Sequence, residues 1–294
     1  MLLRQHGRYD YSPIIERPVY DWPNGTRLAV YLALNLEHFA FGEGLGAQLA
    51  PGGGEPDVLN YAWRDYGNRV GVWRLLRLFD DLRLPVAVLV NSEIYEYCPQ
   101  VVAAFRQRGD EIVAHGRTNA EQQGTLSREE EGQLIKHVTD IIARHEGKRP
   151  AGWLGPWISQ SFHTPDLLKA AGYTYLLDWC HDDQPTWFRT DTTPILSMPY
   201  PQEINDIPAI VARKVEAAVF ADMIVDNFDE MLEQSTEQPL VCGIALHPYI
   251  AGQPFRLRQL RRALAHIATH GQKVWFTHPG AIAKYVINTQ PTKS

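Results

Sequence analysis

A chain of 294 residues with 45% hydrophobic and 11% aromatic side chains can bury a large core. That excludes global disorder and leaves one large α/β domain or two small ones. The net charge of −6, from 28 basic and 34 acidic residues with no basic stripe, argues against nucleic acid as a partner. No apolar run approaches the roughly 20 residues that span a bilayer, and the opening MLLRQHGRYDYSPIIERP lacks the apolar segment of a signal peptide. Three scattered cysteines, Cys98, Cys180 and Cys242, form no CxxC pair. The expected setting is therefore cytoplasmic and reducing, with neither membrane nor nucleic acid as a partner.

Residues 1–25 read as a leader. The first apolar run, residues 27–37, is nearly free of polar side chains, as a strand buried on both faces should be. After a glycine-rich loop (APGGGEP, residues 50–56), residues 66–82 show helical spacing, with Val70, Trp73, Leu76 and Phe79 on one face. A strand at 85–91, a helix at 99–109 and a strand at 111–116 follow. A helix at 127–145 opens on the capping box Ser127–Glu130. Short apolar runs at 152–154, 174–179 and 195–200 precede a strand at 241–247, a helix at 256–271 and a last strand at 273–278. Gly109 and Gly271 stand where helices end, and residues 288–294 read as a frayed tail. Repeated strand–helix alternation predicts βαβ units and a parallel sheet. With no composition break, one domain spanning 1–294 is expected.

Each apolar run stays clean until its C-terminal end, where a reactive side chain appears: Glu37, Asn91, His115, Asp178, Tyr200, His247 and His278. In a parallel barrel those ends open on one face, where active sites sit. The pattern therefore favours a barrel-like α/β fold over an open sheet. A carboxylate there can activate water, and an imidazole can bind metal or shuttle a proton. Glu37-His38, His115 with Asn119 four residues on, and His247 are the first candidates. Asp178–Asp183 brings three carboxylates into six positions, and Trp153, Trp157, Trp179 and Trp187 lie near strand ends as possible pocket walls. Nucleophile-elbow, HExxH and P-loop signatures are absent.

In this order, these residues resemble the polysaccharide deacetylase (NodB-homology) superfamily, carbohydrate esterase family 4. Its first motif, T-F-D-D, corresponds to Asn35-Leu36-Glu37-His38. The second, H-S/T-x-x-H, corresponds to His115–Asn119, the third approximates Leu154–Trp157, and the last falls at Leu246-His247. The similarity is greater to the branch that opens small cyclic amides, the allantoinases of this fold and the cyclic imide hydrolases (imidases). Shared with it are the leader pattern Trp22-Pro23-Asn24-Gly25-Thr26-Arg27 and D-D-x-P-x-W at Asp182–Trp187. So are P-Y-x-x-x-x-N-D at Pro199–Asp206 and H-x-x-x-x-G-x-P-x-R at His247–Arg256.

The resemblance implies a distorted (β/α)7–8 barrel, NodB-like, with its active site at the C-terminal strand ends. It implies a hydrolase that opens a cyclic imide or amide, with Glu37 as base and His247 as acid. Trp153, Trp157, Asp183, Trp187, Asn205 and Asp206 would contact the substrate. The family's metal-binding aspartate and second histidine are His38 and Asn119 here. Zinc held by His38, His115 and Asn119, and a metal-free site, both stay open at this point. A small-molecule substrate and a homotetramer are the expected partners. Deacetylation of N-acetylated sugars is the alternative activity, and a catalytically silent small-molecule-binding protein is the alternative class.

Overall fold

The structure is a computed structural model that describes residues 5–290, so positions 291–294 of the expected tail lie outside the described residues. Its axis is β1 (Leu28–Leu36), whose nine residues are all buried. β1 pairs in parallel with β2 (Val86–Val90), with β8 (Leu240–Leu246) and, at its N-terminal end, with β9 (Val274–Phe276). Beyond β2 the sheet continues through β3 (Glu111–Ala114), β4 (Gly152–Trp153), β5 (Tyr175–Leu176) and β7 (Ile195–Ser197), all parallel. β6 (Thr186–Phe188) ends it, antiparallel to β7.

The order is thus β6-β7-β5-β4-β3-β2-β1-β8, with β9 off this path. The sheet curls into a half-barrel with helices packed outside. No continuous ladder closes it among the described residues. An isolated bridge between Asn205 and Ala245 and a Val241 N–H bond to the Asp183 carbonyl (2.9 Å) join β8 to the far side. The α/β barrel expectation holds in this distorted form, but the sheet is mixed. The link between β6 and β7 is six residues, short enough for a hairpin and too short for the crossover that parallel pairing requires.

Helices follow most strands: α1 (Val58–Tyr66), α2 (Val72–Leu82), α3 (Ile94–Tyr97), α4 (Pro99–Arg108), α5 (Arg128–Glu146), α6 (Thr164–Ala170), α7 (Ala217–Gln234), α8 (Pro248–Ala251), α9 (Pro254–Ala268) and α10 (Pro279–Thr289). The Ser127–Glu130 capping box starts α5, and Gly109 ends α4 at φ 81°. Gly271 does not cap α9, which stops at Ala268; it lies in the turn beyond. α10 runs to Thr289, so residues 288 and 289 of the expected tail are helical.

One departure bears on function. A π-turn at Gly67–Gly71 separates α1 from α2. Its extra residue shifts the helical phase, so Val72, Leu75, Leu78 and Phe79 are buried while Trp73 is 40% exposed. Such bulges favour functional surroundings. Here the reason is close packing: a Cβ on Gly67 would stand 2.6 Å from the Tyr249 nitrogen, and one on Gly71 would meet the Pro248 carbonyl oxygen. Asn68, inside the turn, donates to the Glu37 carbonyl oxygen at 2.8 Å. The π-turn therefore braces the chain just after β1 and just after β8.

Candidate active site

Side chains alternate across a strand, and that parity decides which strand-end groups meet. On β1, Ala29, Tyr31 and Ala33 line the inner face of the curl, while Leu28, Val30, Leu32, Leu34 and Leu36 pack outward against helices. Continuing the alternation places Asn35 and Glu37 inside. By the same count Asn91 follows Ala87 and Leu89, His115 follows Val113, Tyr200 follows Leu196 and Met198, and His247 follows Val241 and Ala245. Parallel strands open these inward ends on one face. There a cavity of about 240 Å³ is lined by Asn35, Glu37, His115, Asn119, Tyr200, Asn205, His247 and Tyr249, with apolar walls from Leu154, Trp157, Ile158, Ile207, Pro208 and Ala212.

Glu37 lies at the centre, buried. Its Oε1 accepts from Asn119 Nδ2 at 2.5 Å and its Oε2 from the Tyr249 hydroxyl at 2.7 Å. His247 Nε2 stands 3.5 Å from Oε1, and His115 Nε2 3.6 Å from it. Behind His247, Asp206 takes both the ring Nδ1–H (2.6 Å) and the backbone N–H (2.9 Å). Asp206 thus fixes the ring's orientation and leaves Nε2 facing Glu37.

The charges reinforce one another. Burial by itself would raise the Glu37 carboxyl, but the positive charge of His247 and the hydrogen bonding of His115 and His247 outweigh it, holding the group at about 2. Burial likewise works against a charged His247, yet the carboxylates of Glu37 and Asp206 lift it to about 10. Asp206 is itself raised, by burial first, with His247 opposing. Burial and then the Glu37 charge push the Tyr249 hydroxyl well up, so it remains a donor. At neutral pH the cavity holds a carboxylate base beside an imidazolium acid.

Not every expected residue reaches this place. Trp157 does: it stands at φ 62°, with Ile158 at φ 53°, and donates its indole N–H to the Asn119 carbonyl at 3.0 Å. Two successive left-handed residues, one of them β-branched, cost backbone energy, and such strain concentrates at functional walls. Asn205 also lines the cavity. Asp206 does not read substrate directly; both of its oxygens are committed to His247. Trp153 is corrected to a core residue, on the outward side of β4, fully buried and bonded to Gln123 Oε1. Asp183 sits beside Val241, six residues before His247, which along a strand is about 20 Å away. Trp187 packs near the chain end, its N–H on the Gln290 carbonyl.

The rest of the acidic segment is structural: Asp182 pairs with Arg17 at 2.6 Å, and Asp178 accepts the Gly155 N–H. Burial raises Asp178 to about 7, outside the cavity lining. Tyr249 and Asn68 are not among the residues the sequence singles out, and Asn91 is named there only as a strand-end side chain. Tyr249 lies two residues past His247, and the parity of β2 was the available signal for Asn91.

The donors do not fit the family's Asp-His-His metal set. By the alternation of β1, His38 turns outward: its ring meets Tyr97 (centroids 4.5 Å) and it lines a separate recess with Tyr61, Arg64 and Asp65. A carboxylate only accepts, so Asn119 presents its amide N–H to Glu37 and its oxygen to Asn91 Nδ2, 2.9 Å away. Of these three, His115 turns its buried Nε2 toward Glu37, its Nδ1 being held by the Leu154 carbonyl at 2.8 Å. The metal assignment of His38 and Asn119 is therefore corrected: Asn119 belongs to the hydrogen-bonded frame around Glu37, and His38 joins it only through its backbone, whose N–H donates to Asn91 Oδ1 at 2.8 Å.

Comparison with known proteins bears on the family and the fold. Residues 61–176 match the family model "Polysaccharide deacetylase", a span that holds His115 and Asn119 but neither Glu37 nor His247. A putative polysaccharide deacetylase of Schizosaccharomyces pombe is 27% identical over 93% of this chain and 94% of its own length. A peptidoglycan deacetylase of Helicobacter pylori is 23% identical, over 82% and 92%. Among solved structures, a probable polysaccharide deacetylase from Pseudomonas aeruginosa superposes with a TM-score of 0.85 at 26% identity, covering 96% of this chain and 99% of that one. Puue allantoinase superposes at 0.83 and 26%, covering 97% and 100%. No helix among the described residues is long and apolar enough to cross a membrane. Residues 61–176 thus match the polysaccharide deacetylase family model, and over nearly its whole length the chain shares the fold of these proteins.

Proposed function

We propose that this chain hydrolyses the C–N bond of a small, uncharged cyclic imide or amide. The observation that carries the reading is the Glu37–His247 contact inside a cavity of about 240 Å³ with one apolar side. Among the described residues no Lys or Arg lines that cavity, so it offers nothing to hold a substrate carboxylate or phosphate. The likeness to Puue allantoinase over nearly all of both chains supports it.

The ring packs on Trp157, Leu154, Ile158 and Pro208. A water bonded to Glu37 Oε1 and His115 Nε2, which are 3.6 Å apart, attacks the carbonyl carbon while Glu37 takes one of its protons. His247 gives its Nε2 proton to the ring nitrogen as the C–N bond breaks. An imide ring opens to a carboxylic acid and an amide, and a cyclic amide to a carboxylic acid and an amine. A protonated Glu37 then faces a neutral His247 across 3.5 Å, and return of the proton restores the pair. Asn205 Oδ1 is taken by the Ile207 N–H, leaving its amide N–H groups to steer the substrate carbonyl. Asp206 keeps His247 oriented throughout and favours its protonated resting form.

Deacetylation of an N-acetylated sugar is the second reading, favoured by the names of the curated relatives. The same pair would attack an acetyl carbonyl and protonate the departing amine. A polymer demands an open groove, which the small cavity does not offer. A panel of succinimide, hydantoin, dihydrouracil and allantoin against N-acetylglucosamine oligomers separates the two. Ring opening without acetate release is expected; acetate release with inert rings would reverse the assignment, and binding without turnover would favour the silent binding protein.

A further inference from the structure

A second cluster of ligating side chains lies far from the cavity. Asp229 on α7 meets His266 near the end of α9 and His270 just past it, and donor atoms of the three lie within 4.8 Å of one another. His266 Nε2 is 2.7 Å from Asp229 Oδ1. They border a surface recess with residues 24–27, which lead into β1, and with Lys273, which leads into β9. The recess therefore sits at the N-terminal end of the strands, the face opposite the candidate active site.

We propose that Asp229, His266 and His270 form a structural site for a divalent transition-metal ion such as zinc, clamping α7 to α9. Two imidazoles and one carboxylate are a common donor set for zinc, and imidazole suits nickel and copper as well. The His266–Asp229 spacing needs to open only slightly, to the ~3.3 Å that two ligands of a tetrahedral zinc subtend. The outer shell is in place. His270 Nδ1 donates to the His266 carbonyl at 3.1 Å, which leaves the Nε2 lone pair for a ligand. The ring of Phe228, beside Asp229 on α7, braces both imidazoles, with centroids 6.2 Å and 5.3 Å away. The carbonyl end of α9 adds a negative dipole, and Glu233, one turn past Asp229, lines the same recess as a further oxygen donor. Arg27, the guanidinium that lines the recess, pairs with Asp21 at 2.9 Å. An exposed His–Asp pair alone contributes little to stability and would give His270 no role.

The test uses the full tag-free chain, stripped with chelator and titrated with zinc chloride by calorimetry, with Tm followed in parallel. Wild type and His115→Ala, which alters only the cavity, should each bind about one equivalent with micromolar affinity and gain Tm. His270→Ala and Asp229→Asn should weaken binding at least tenfold and lose the Tm gain, with unchanged circular dichroism. Equal binding by these two variants, loss of binding only in His115→Ala, or no binding at millimolar zinc would each overturn the proposal.

Discussion

The two sides of the curled sheet divide the work. On one side β1 and β8 run for nine and seven residues, pair over seven positions, and are buried throughout. They end in Glu37 and His247, so the acid–base pair rides on the longest ladder in the molecule. On the other side β4, β5 and β7 are two or three residues long. What they deliver is not charge but the apolar wall, through the left-handed Trp157–Ile158 turn. Chemistry demands sub-ångström placement and is mounted on rigid strands, whereas selectivity is set by loops that vary without disturbing it. The division predicts that the largest kinetic losses come from the long-strand side. Glu37→Gln and His247→Ala should each lower kcat by roughly 10²–10⁴ at unchanged fold. A steady-state assay on the responsive ring substrate checks this, and a variant with normal turnover would end the assigned role.

Asp206 sharpens the same contrast, because it reaches β8 from the far side of the sheet through the Asn205–Ala245 bridge. Asp206→Asn removes one of the two charges that hold His247 protonated. We expect kcat to fall by about 10–10², with the basic limb of the kcat/KM profile moving to lower pH. In the wild type that limb should lie near the His247 value of about 10, above a flat region across neutral pH. The sign for stability follows. His247 is raised from an ordinary 6.5, so its contribution is complete below that pH and fades as pH climbs through about 10. Glu37 is lowered from 4.5, so its share is complete above that value and fades as pH drops through about 2. Urea midpoints measured from pH 3 to 10.5 test both arms, and a His247→Ala protein should lose the alkaline one.

Much of this was legible in the sequence, and the errors share one cause. The run at residues 27–37 showed the central strand, its polar end showed Glu37, and the matching ends at His115 and His247 completed the group. What was read wrongly was direction. His38 follows Glu37, and adjacent residues on a strand face opposite ways, so the two cannot share a site without a bulge. Trp153, one residue before the cavity residue Leu154, fails by the same rule. The helical phase of residues 66–82 slipped because the i→i+5 turn has no sequence signature beyond its two glycines. Asp183 and Trp187 rest on an acidic cluster, on strand-end aromatics and on a motif, and none of these says which end of a strand a loop adjoins. Asp206 was found, but its role depends on a contact between segments 41 residues apart.

On the short-strand side the effects should be smaller and of another kind. Trp157→Ala removes the indole that floors the cavity, so KM should rise about tenfold while kcat stays within a few-fold, because burial of the ring is equal in ground and transition states. Trp153→Ala, one turn of chain earlier but facing outward, should instead cost about 3–5 kcal/mol of stability with KM unchanged. Denaturant melts and kinetics on the same two proteins distinguish them. If Trp153→Ala raised KM in a protein whose melt was normal, β4 would present its other face to the cavity.

The smallest expected effect is the most discriminating for the site's limits. Trp187 lies on β6, the antiparallel strand at the sheet's edge, and its N–H is spent on the Gln290 carbonyl at the end of α10. A Trp187→Phe protein keeps an aromatic ring there and loses one hydrogen bond, worth about 1 kcal/mol. Both kcat and KM should match wild type, with only a slight drop in the urea midpoint. A shift in KM beyond twofold would mean that substrate reaches across to the β6 edge. The cavity would then extend past Tyr200 toward the recess under Tyr9 and His181, and a longer substrate than a single ring would have to be reconsidered.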